Sequence, residues 1–282
     1  MFCSMAESIE LAWSLGEHMI VWGVVFSILT ALELLLPKER QSLRGRLRGL
    51  GFWAVWIPLS DIAFKAMGTA WSYVGIEPII SIPLTLSWSG IAAAVLSPIA
   101  GAAFGDLSFY WMHRAQHKWF WRFHAVHHSI RELSAINCYH HVSEAFITTA
   151  IVIVPTSLIV AHSLPASGVT QLLILLQSVY IHSSSRIHFS HFGRIIVDNR
   201  FHRIHHSVQE EHYDHNFAAF TPLWDMLFGT ALFPKPQEWP KVGITELDEP
   251  KSVRQWLDLP VRYRNATAIK LETYDHKELA AD

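Results

Sequence analysis

The chain has 282 residues, of which 51% are hydrophobic and only 16% charged, and its formal net charge is −2. A soluble domain carries about 25% charged residues, so this composition, with a mean hydropathy of +0.22, excludes an ordinary water-soluble globule. A pI near 6.8 excludes an electrostatic grip on nucleic acid, and two cysteines, Cys3 and Cys138, exclude a disulfide framework. The N-terminal arm carries Glu7, Glu10 and Glu17 with no cation, which does not fit a cleavable signal peptide. A first apolar stretch, from about His18 to Leu36 with Glu33 near its end, has the roughly 17–25 residues that a bilayer crossing needs. The loop after it is basic, with Lys38, Arg40, Arg44, Arg46 and Arg48. A second stretch, about Gly51 to Tyr73, carries Asp61 and Lys65 four apart on one helix face, where they are expected to pair.

Further along, about Ser89 to Gly105 is rich in Ala and Gly and suits close helix packing. Ala145 to Ala161 and Ser163 to Ile181 contain no charge and are broken at His162 and Pro165, so they read as a hairpin. The expected fold class is therefore all-α, a polytopic helical membrane protein with about four to five hydrophobic passes and a cytosolic, helical, histidine-rich metal-binding cap. The basic loop is expected inside and the N-terminus outside. Both histidine-rich regions then fall on the inner, cytosolic face, while His162 falls on the other. The organisation reads as 1–92, anchoring helices and basic loop; 93–230, the histidine-bearing catalytic region; and 231–282, a polar, proline-punctuated cap and tail.

All histidines except His18 and His276 lie between His113 and His215. HRAQH places His113 and His117 at i and i+4, HAVHH gives His124, His127 and His128, and HRIHH gives His202, His205 and His206. Spacings of three and four put imidazoles on one helix stripe, where they can converge on a metal. The second and third clusters share a frame: Arg122-Phe123-His124-x-x-His127-His128-Ser129 matches Arg200-Phe201-His202-x-x-His205-His206-Ser207. A repeat on either side of an apolar hairpin predicts two half-sites meeting in a two-metal centre. Imidazole suits Zn, Cu, Fe and Ni alike, but so many nitrogens are too many for one ion, and a nitrogen-rich site at the mouth of a membrane bundle fits oxygen activation on iron. Ligand histidines must be neutral, so metal affinity is expected to fall as pH drops below about 6.5.

With their order and spacing, the three histidine boxes resemble those of the fatty acid hydroxylase and sterol desaturase superfamily of integral-membrane di-iron enzymes. The flanks are similar too: Asp106-x-x-x-Tyr110-Trp111-x-His113-Arg114 before the first box, His182-Ser183, and after the third box Asn216-Phe217-Ala218 and Trp224-Asp225-Met226-Leu227-Phe228-Gly229-Thr230. The resemblance implies two iron ions, O2 as co-substrate and hydroxylation or desaturation of an unactivated C–H bond in a lipid. It also implies an external electron-transfer protein, ferredoxin- or cytochrome b5-like, because no haem or flavin motif is present. It adds His182 to the eight box histidines and brings in His141 and His188 as possible further ligands. His212 and His215 read as solvated loop residues above the site.

Asp106, Glu144 and Asp225 are expected to orient ligand histidines, since a metal-bound imidazole usually donates its other N–H to a carboxylate or carbonyl. Trp119, Phe120 and Trp121 read as interfacial anchors, with lining of the substrate entrance as the alternative. Beside the lipid oxygenase stand two alternatives, a metal transporter and a catalytically inactive relative acting as a membrane scaffold. Spans nearly free of polar residues argue against the first, and complete boxes argue against the second.

Overall fold

Long apolar stretches hold their peptide groups away from water, and a helix satisfies those groups within the segment. The computed structural model describes residues 5–75, 80–82, 88–153, 160–162 and 164–263. They are mostly helical: α1 is Met5–Leu35, α2 Leu43–Val74, α3 Trp88–Trp119 and α4 Trp121–His128. Next come α5, Ser143–Thr148, which runs into a π-helical turn at Thr149–Ile153, and α6, Leu164–Tyr180. The shorter α7, Asn199–His205, and α8, Leu223–Leu227, precede a last helix, α9, over 253–263.

One feature departs from an all-helical chain. Strands β1 (Ile80–Ile82) and β2 (Val160–His162) pair in parallel, with Ile80 opposite Val160 and Ile82 opposite His162. Each strand leads into a long helix, and those helices, α3 and α6, pack on one another. The side chain of His162 lies outside the described residues, as does the remainder of the 264–282 tail.

Among the described residues, one helix is long and apolar enough to cross a membrane, Gly16–Leu35. The stretch expected as a pass from Ala145 to Ala161 begins as a short helix and a π turn and ends in β2, with 154–159 outside the described residues. In the second stretch the expected pair forms. Lys65 Nζ lies 3.4 Å from buried Asp61, whose other oxygen meets His18 Nδ1 at 2.7 Å.

The main core joins α1 and α2 to the loop between α4 and α5. Val25, Phe26 and Leu29 of α1 meet Phe52, Trp53 and Ile57 of α2, together with Ile130, Leu133, Ile136 and Tyr139 of that loop. Trp22 stacks on Trp53 at 4.7 Å, and the Trp53 indole donates to the Ile136 carbonyl at 3.1 Å. Gly49 explains how α2 gets so close, since a Cβ there would collide with the Ile136 carbonyl group.

A buried carboxylate ties this core to both histidine-bearing regions. Glu33 pairs with Arg46 at 2.6 Å. Its other oxygen accepts the Ala135 amide at 2.9 Å, ahead of α5, and the Ser184 amide at 3.0 Å, just after α6. One further basic-loop charge is paired as well, so fewer of them face solvent than their sequence positions suggest: besides Arg46, Arg48 meets Glu249 at 2.7 Å.

Removing one partner of a buried ion pair costs about 3–5 kcal/mol, because the other charge is left uncompensated. Glu33→Gln is expected to lower unfolding stability in detergent micelles by about that amount, measured by denaturant titration. A loss below about 1 kcal/mol, the scale of an exposed pair, would contradict the anchoring role.

Candidate metal centre

Each histidine is positioned by the local fold of its segment. The C-terminal turns of α3 carry His113 and His117 on one face, and α4 follows after a one-residue break with His124, His127 and His128. On α7 lie His202 and His205, with His206 closing its C-terminus. The α7 start is fixed by Asp198, whose carboxylate accepts the Arg200 and Phe201 amides at 3.1 and 3.0 Å. His182 lies two residues beyond the end of α6. The two distant histidine regions meet in space and divide into two groups, His113, His117, His124, His128 and His205, and His127, His182, His202 and His206. Within each group the ligand-capable atoms all lie within 4.8 Å of one another.

The repeated frame is interleaved between these groups. The i, i+4 pair His124/His128 shares its group with His205 of the other repeat. In return, His202/His206 shares its group with His127. Neither repeat forms a half-site alone. Each gives two imidazoles to one group and one to its neighbour.

Backbone carbonyls determine which ring nitrogen is free. A carbonyl only accepts, so each of these histidines must carry its proton on Nδ1. His113 donates to the Phe217 carbonyl at 2.7 Å, and His127 to that of Tyr139 at 3.1 Å. His182 donates to Ser178 at 2.7 Å, and His205 to His215 at 2.8 Å. A neutral ring protonated at Nδ1 presents a bare lone pair at Nε2. His127 and His182 nevertheless face each other Nε2 to Nε2 at 3.1 Å, with no hydrogen between them. The contacts His113–His124 (3.0 Å), His202–His182 (3.0 Å), His117–His128 (3.2 Å) and His206–His202 (3.2 Å) are also Nε2 to Nε2. Buried His205 Nε2 has no hydrogen-bond partner. Converging lone pairs repel unless a cation lies among them, so this donor set fits metal ions and suits no purely hydrogen-bonded core.

Of the three expected carboxylates, Glu144 touches histidine. It lies 3.3 Å from His124 Nδ1 and accepts the Gln116 amide at 2.9 Å. Asp106 and Asp225 do not. Seven residues of helix place Asp106 about 10 Å below His113, beyond the reach of a carboxylate. It accepts the amides of Ala219, Phe220 and Thr221 instead, at 2.8–3.0 Å. Asp225 accepts those of Phe217 and Ala218 and the Thr230 hydroxyl, which also meets the Tyr110 phenol. Asn216, at φ 61°, binds Phe201 and Leu232 through its side chain. Together they fix the segment whose His215 and Phe217 carbonyls set the tautomers of His205 and His113.

Residues outside the nine are placed as follows. His141 bonds Ser143 at 2.8 Å, and His188 lines a separate surface cavity. His140, which sequence reasoning did not single out, stacks on His127 at 3.8 Å and forms a third group with His124 and Glu144. Its carbonyl accepts the Trp256 indole at 2.8 Å. Asp214, at φ 58°, reaches His117 Nδ1 at 3.3 Å. His212 is buried rather than solvated and faces Glu238 at 3.6 Å. Trp119 is exposed, but Trp121 lies against the rings of His117 and His128, each 5.0 Å away, and walls the first group.

Burial governs the electrostatics. It lowers His113, His124, His127, His128, His202, His205 and His206 well below the ordinary 6.5, with repulsion among neighbouring imidazoles adding to the effect. His182 falls to about 4 and His140 to about 3, also chiefly through burial. Burial pushes Glu144 up to about 8, against the Gln116 hydrogen bond. Protonation of the folded site is therefore displaced below the unperturbed value expected from sequence.

The unfolded chain takes up protons on these histidines near 6.5, while the folded, metal-free site resists them. The unfolded state then binds more protons, and stability falls as pH drops through 6.5, by up to about 1.4 kcal/mol per pH unit for each histidine. Chelator-treated protein is expected to show a steep fall in melting temperature between about pH 6.5 and 5. A flat profile across that window would contradict buried neutral histidines.

Residues 98–230 match the family described as Fatty acid hydroxylase. The ornithine lipid hydroxylase OlsE of Rhizobium tropici is 30% identical over 155 residues, 52% of this chain and 45% of that protein. The alkylglycerol monooxygenase of Homo sapiens is 28% identical over 127 residues, 44% of this chain and 28% of that protein. Its Danio rerio counterpart is 27% identical over 127 residues, with the same coverage. The chain thus spans less than half the length of these curated relatives. No solved structure gives a significant match. Both histidine groups lie inside residues 98–230, so the part of the chain that is similar to the fatty acid hydroxylase family is the part that carries the candidate centre.

Proposed function

We propose that the chain is an integral-membrane di-iron oxidoreductase that hydroxylates an unactivated C–H bond of a lipid, with electrons from an external ferredoxin- or cytochrome b5-like donor. The observation that carries this reading is the pair His127 and His182, carbonyl-locked and facing each other through bare Nε2 atoms 3.1 Å apart. One ion would be held by His113, His117, His124, His128 and His205, the other by His127, His182, His202 and His206. Bound iron would supply O2 activation: one oxygen atom would enter the C–H bond and the other leave as water, with two electrons from the donor and two protons from solvent.

The chain's own residues have separate tasks in this scheme. The carbonyls of Phe217, Tyr139, Ser178 and His215 hold the rings in the ligating tautomer, and Glu144 does so for His124. Asp106, Asp225 and Asn216 keep two of those carbonyls in place. Trp121 and Phe217, packed against the rings, exclude water from the first group. Hydroxylation is favoured over desaturation by the names of the relatives, a lipid hydroxylase and two monooxygenases.

The multi-pass membrane setting, with the N-terminus outside and the histidines on the cytosolic face, is supported by large apolar side chains exposed on several helices. Ile20, Val24 and Ile28 on α1, Val55 and Ile62 on α2, Val95, Leu96 and Ile99 on α3, and Val169 and Leu172 on α6 all face outward. Water would penalise such a surface and hydrocarbon would not.

Isotopically labelled O2 tests the activity. Purified full-length protein, a reduced ferredoxin system and total membrane lipids are expected to yield a lipid with labelled oxygen at a new hydroxyl. The His127→Ala/His205→Ala double variant is expected to yield none. Iron-loaded native protein that reduces O2 without labelling any lipid would overturn the proposal.

A further inference from the structure

Away from the histidine groups, the described residues form an open cavity of about 300 Å³ lined by Lys38, Ser185, Arg186, His188, Arg200, Gln237 and Trp239. By liquid volume that is room for about ten waters. Three permanent cations line it, and among the described residues none of them is in an ion pair. The nearby acids are already engaged. Glu39 is held by Arg203 at 2.6 Å and by the Trp239 indole at 3.1 Å, and Glu238 faces His212 and the Lys235 amide.

The cations are held in place by backbone rather than by counter-charge. Arg186 donates through Nε to the Pro37 carbonyl at 2.8 Å, which leaves its terminal nitrogens available. Arg200 donates through one terminal nitrogen to the Lys235 carbonyl. The Lys38 amide is bonded to the Ser184 carbonyl at 2.8 Å. Gathering three like charges around one cavity raises the energy of the empty pocket and favours an anion with several acceptor oxygens.

Location identifies the source of that anion. Lys38 comes three residues after Leu35, where the membrane-length apolar helix ends. Leu34, Leu35 and Leu36 are 67%, 75% and 46% exposed, and Phe192 and Ile195, which follow Arg186 in the chain, are 64% and 61% exposed. Exposed aliphatic and aromatic side chains beside a cationic pocket at a helix end form the pattern that receives a lipid, tail against the apolar surface and headgroup in the pocket. Ser185 and Arg200 also belong to the segments that carry His182 and His202. Asn199 bridges them through the Ser183 and Ser185 carbonyls at 3.0 and 2.9 Å.

We propose that this cavity is a binding site for the phosphate headgroup of an anionic membrane lipid, gripped by Lys38, Arg186 and Arg200. The inference rests on the membrane setting given under the proposed function and not on iron or on turnover.

Full-length protein in non-ionic detergent would be presented with equal amounts of phosphatidylglycerol and phosphatidylcholine, and the retained lipid counted by native mass spectrometry. Preferential retention of phosphatidylglycerol is expected. In Lys38→Gln/Arg186→Gln that preference should weaken by about 25-fold, the product of two cations each worth about fivefold at an anionic lipid surface. Circular dichroism melting of the variant checks that it folds. Arg200→Gln, which keeps the other two cations, should lose a smaller part.

Equal retention of the two lipids by the native chain would overturn the proposal and leave the pocket to an acidic protein partner. Binding of inorganic phosphate alone, sensitive to the same variants and without lipid preference, would overturn it in favour of a soluble anion. Metal content measured on the same samples separates failure here from failure of the iron reading, because this site contains none of the grouped histidines.

Discussion

The centre depends on a single constraint: backbone carbonyls hold the proton of key imidazoles on Nδ1, so their Nε2 lone pairs point at one another. His113, His127, His182 and His205 are each held this way, by Phe217, Tyr139, Ser178 and His215. Such an arrangement is unfavourable in isolation, since facing lone pairs repel and burial prevents water from separating them. It becomes favourable once a cation sits among the nitrogens. Much of the surrounding structure serves to keep those four carbonyls in position.

That requirement accounts for features otherwise remote from the histidines. Asp106 and Asp225 spend buried carboxylates on the amides of residues 217–221, and Asn216 accepts a left-handed backbone conformation to join this segment to α7. Glu33 performs a similar task at longer range. Its contacts with Ala135 and Ser184 link the loop that leads to the Tyr139 carbonyl with the turn that follows His182. Because each repeat supplies both groups, the two halves of the domain cannot separate without dismantling both sites at once. Folding and metal affinity are therefore coupled, as expected where ligands come from distant parts of a chain.

The sequence made the eight box histidines legible because spacings of three and four on a helix place imidazoles on a common stripe, and because the repeat advertised two related halves, whereas His182 came only with the family resemblance. The interleaving was not legible. It depends on how α4 and α7 face one another, and local periodicity carries no information about that. His140 was given no role for a similar reason, since it sits in an irregular loop and reaches His127 only through tertiary packing. Asp106, expected from sequence to orient a histidine, holds the amides of residues 219–221 instead, because helical face alone ignores the rise between turns. The carbonyl acceptors could not be found at all, as every residue has one. The β1–β2 pairing was equally hidden, in two short segments far apart in the chain.

Metal stoichiometry in purified full-length protein and in two single variants tests the central claim most directly. With iron-replete growth, mass spectrometry should find about two irons per chain, a count that follows from two separate nitrogen-rich groups. His127→Ala, which strikes the group of four, and His205→Ala, which strikes the group of five, should each retain about one. No stoichiometric metal in the native chain, or a full complement in both variants, would contradict the account.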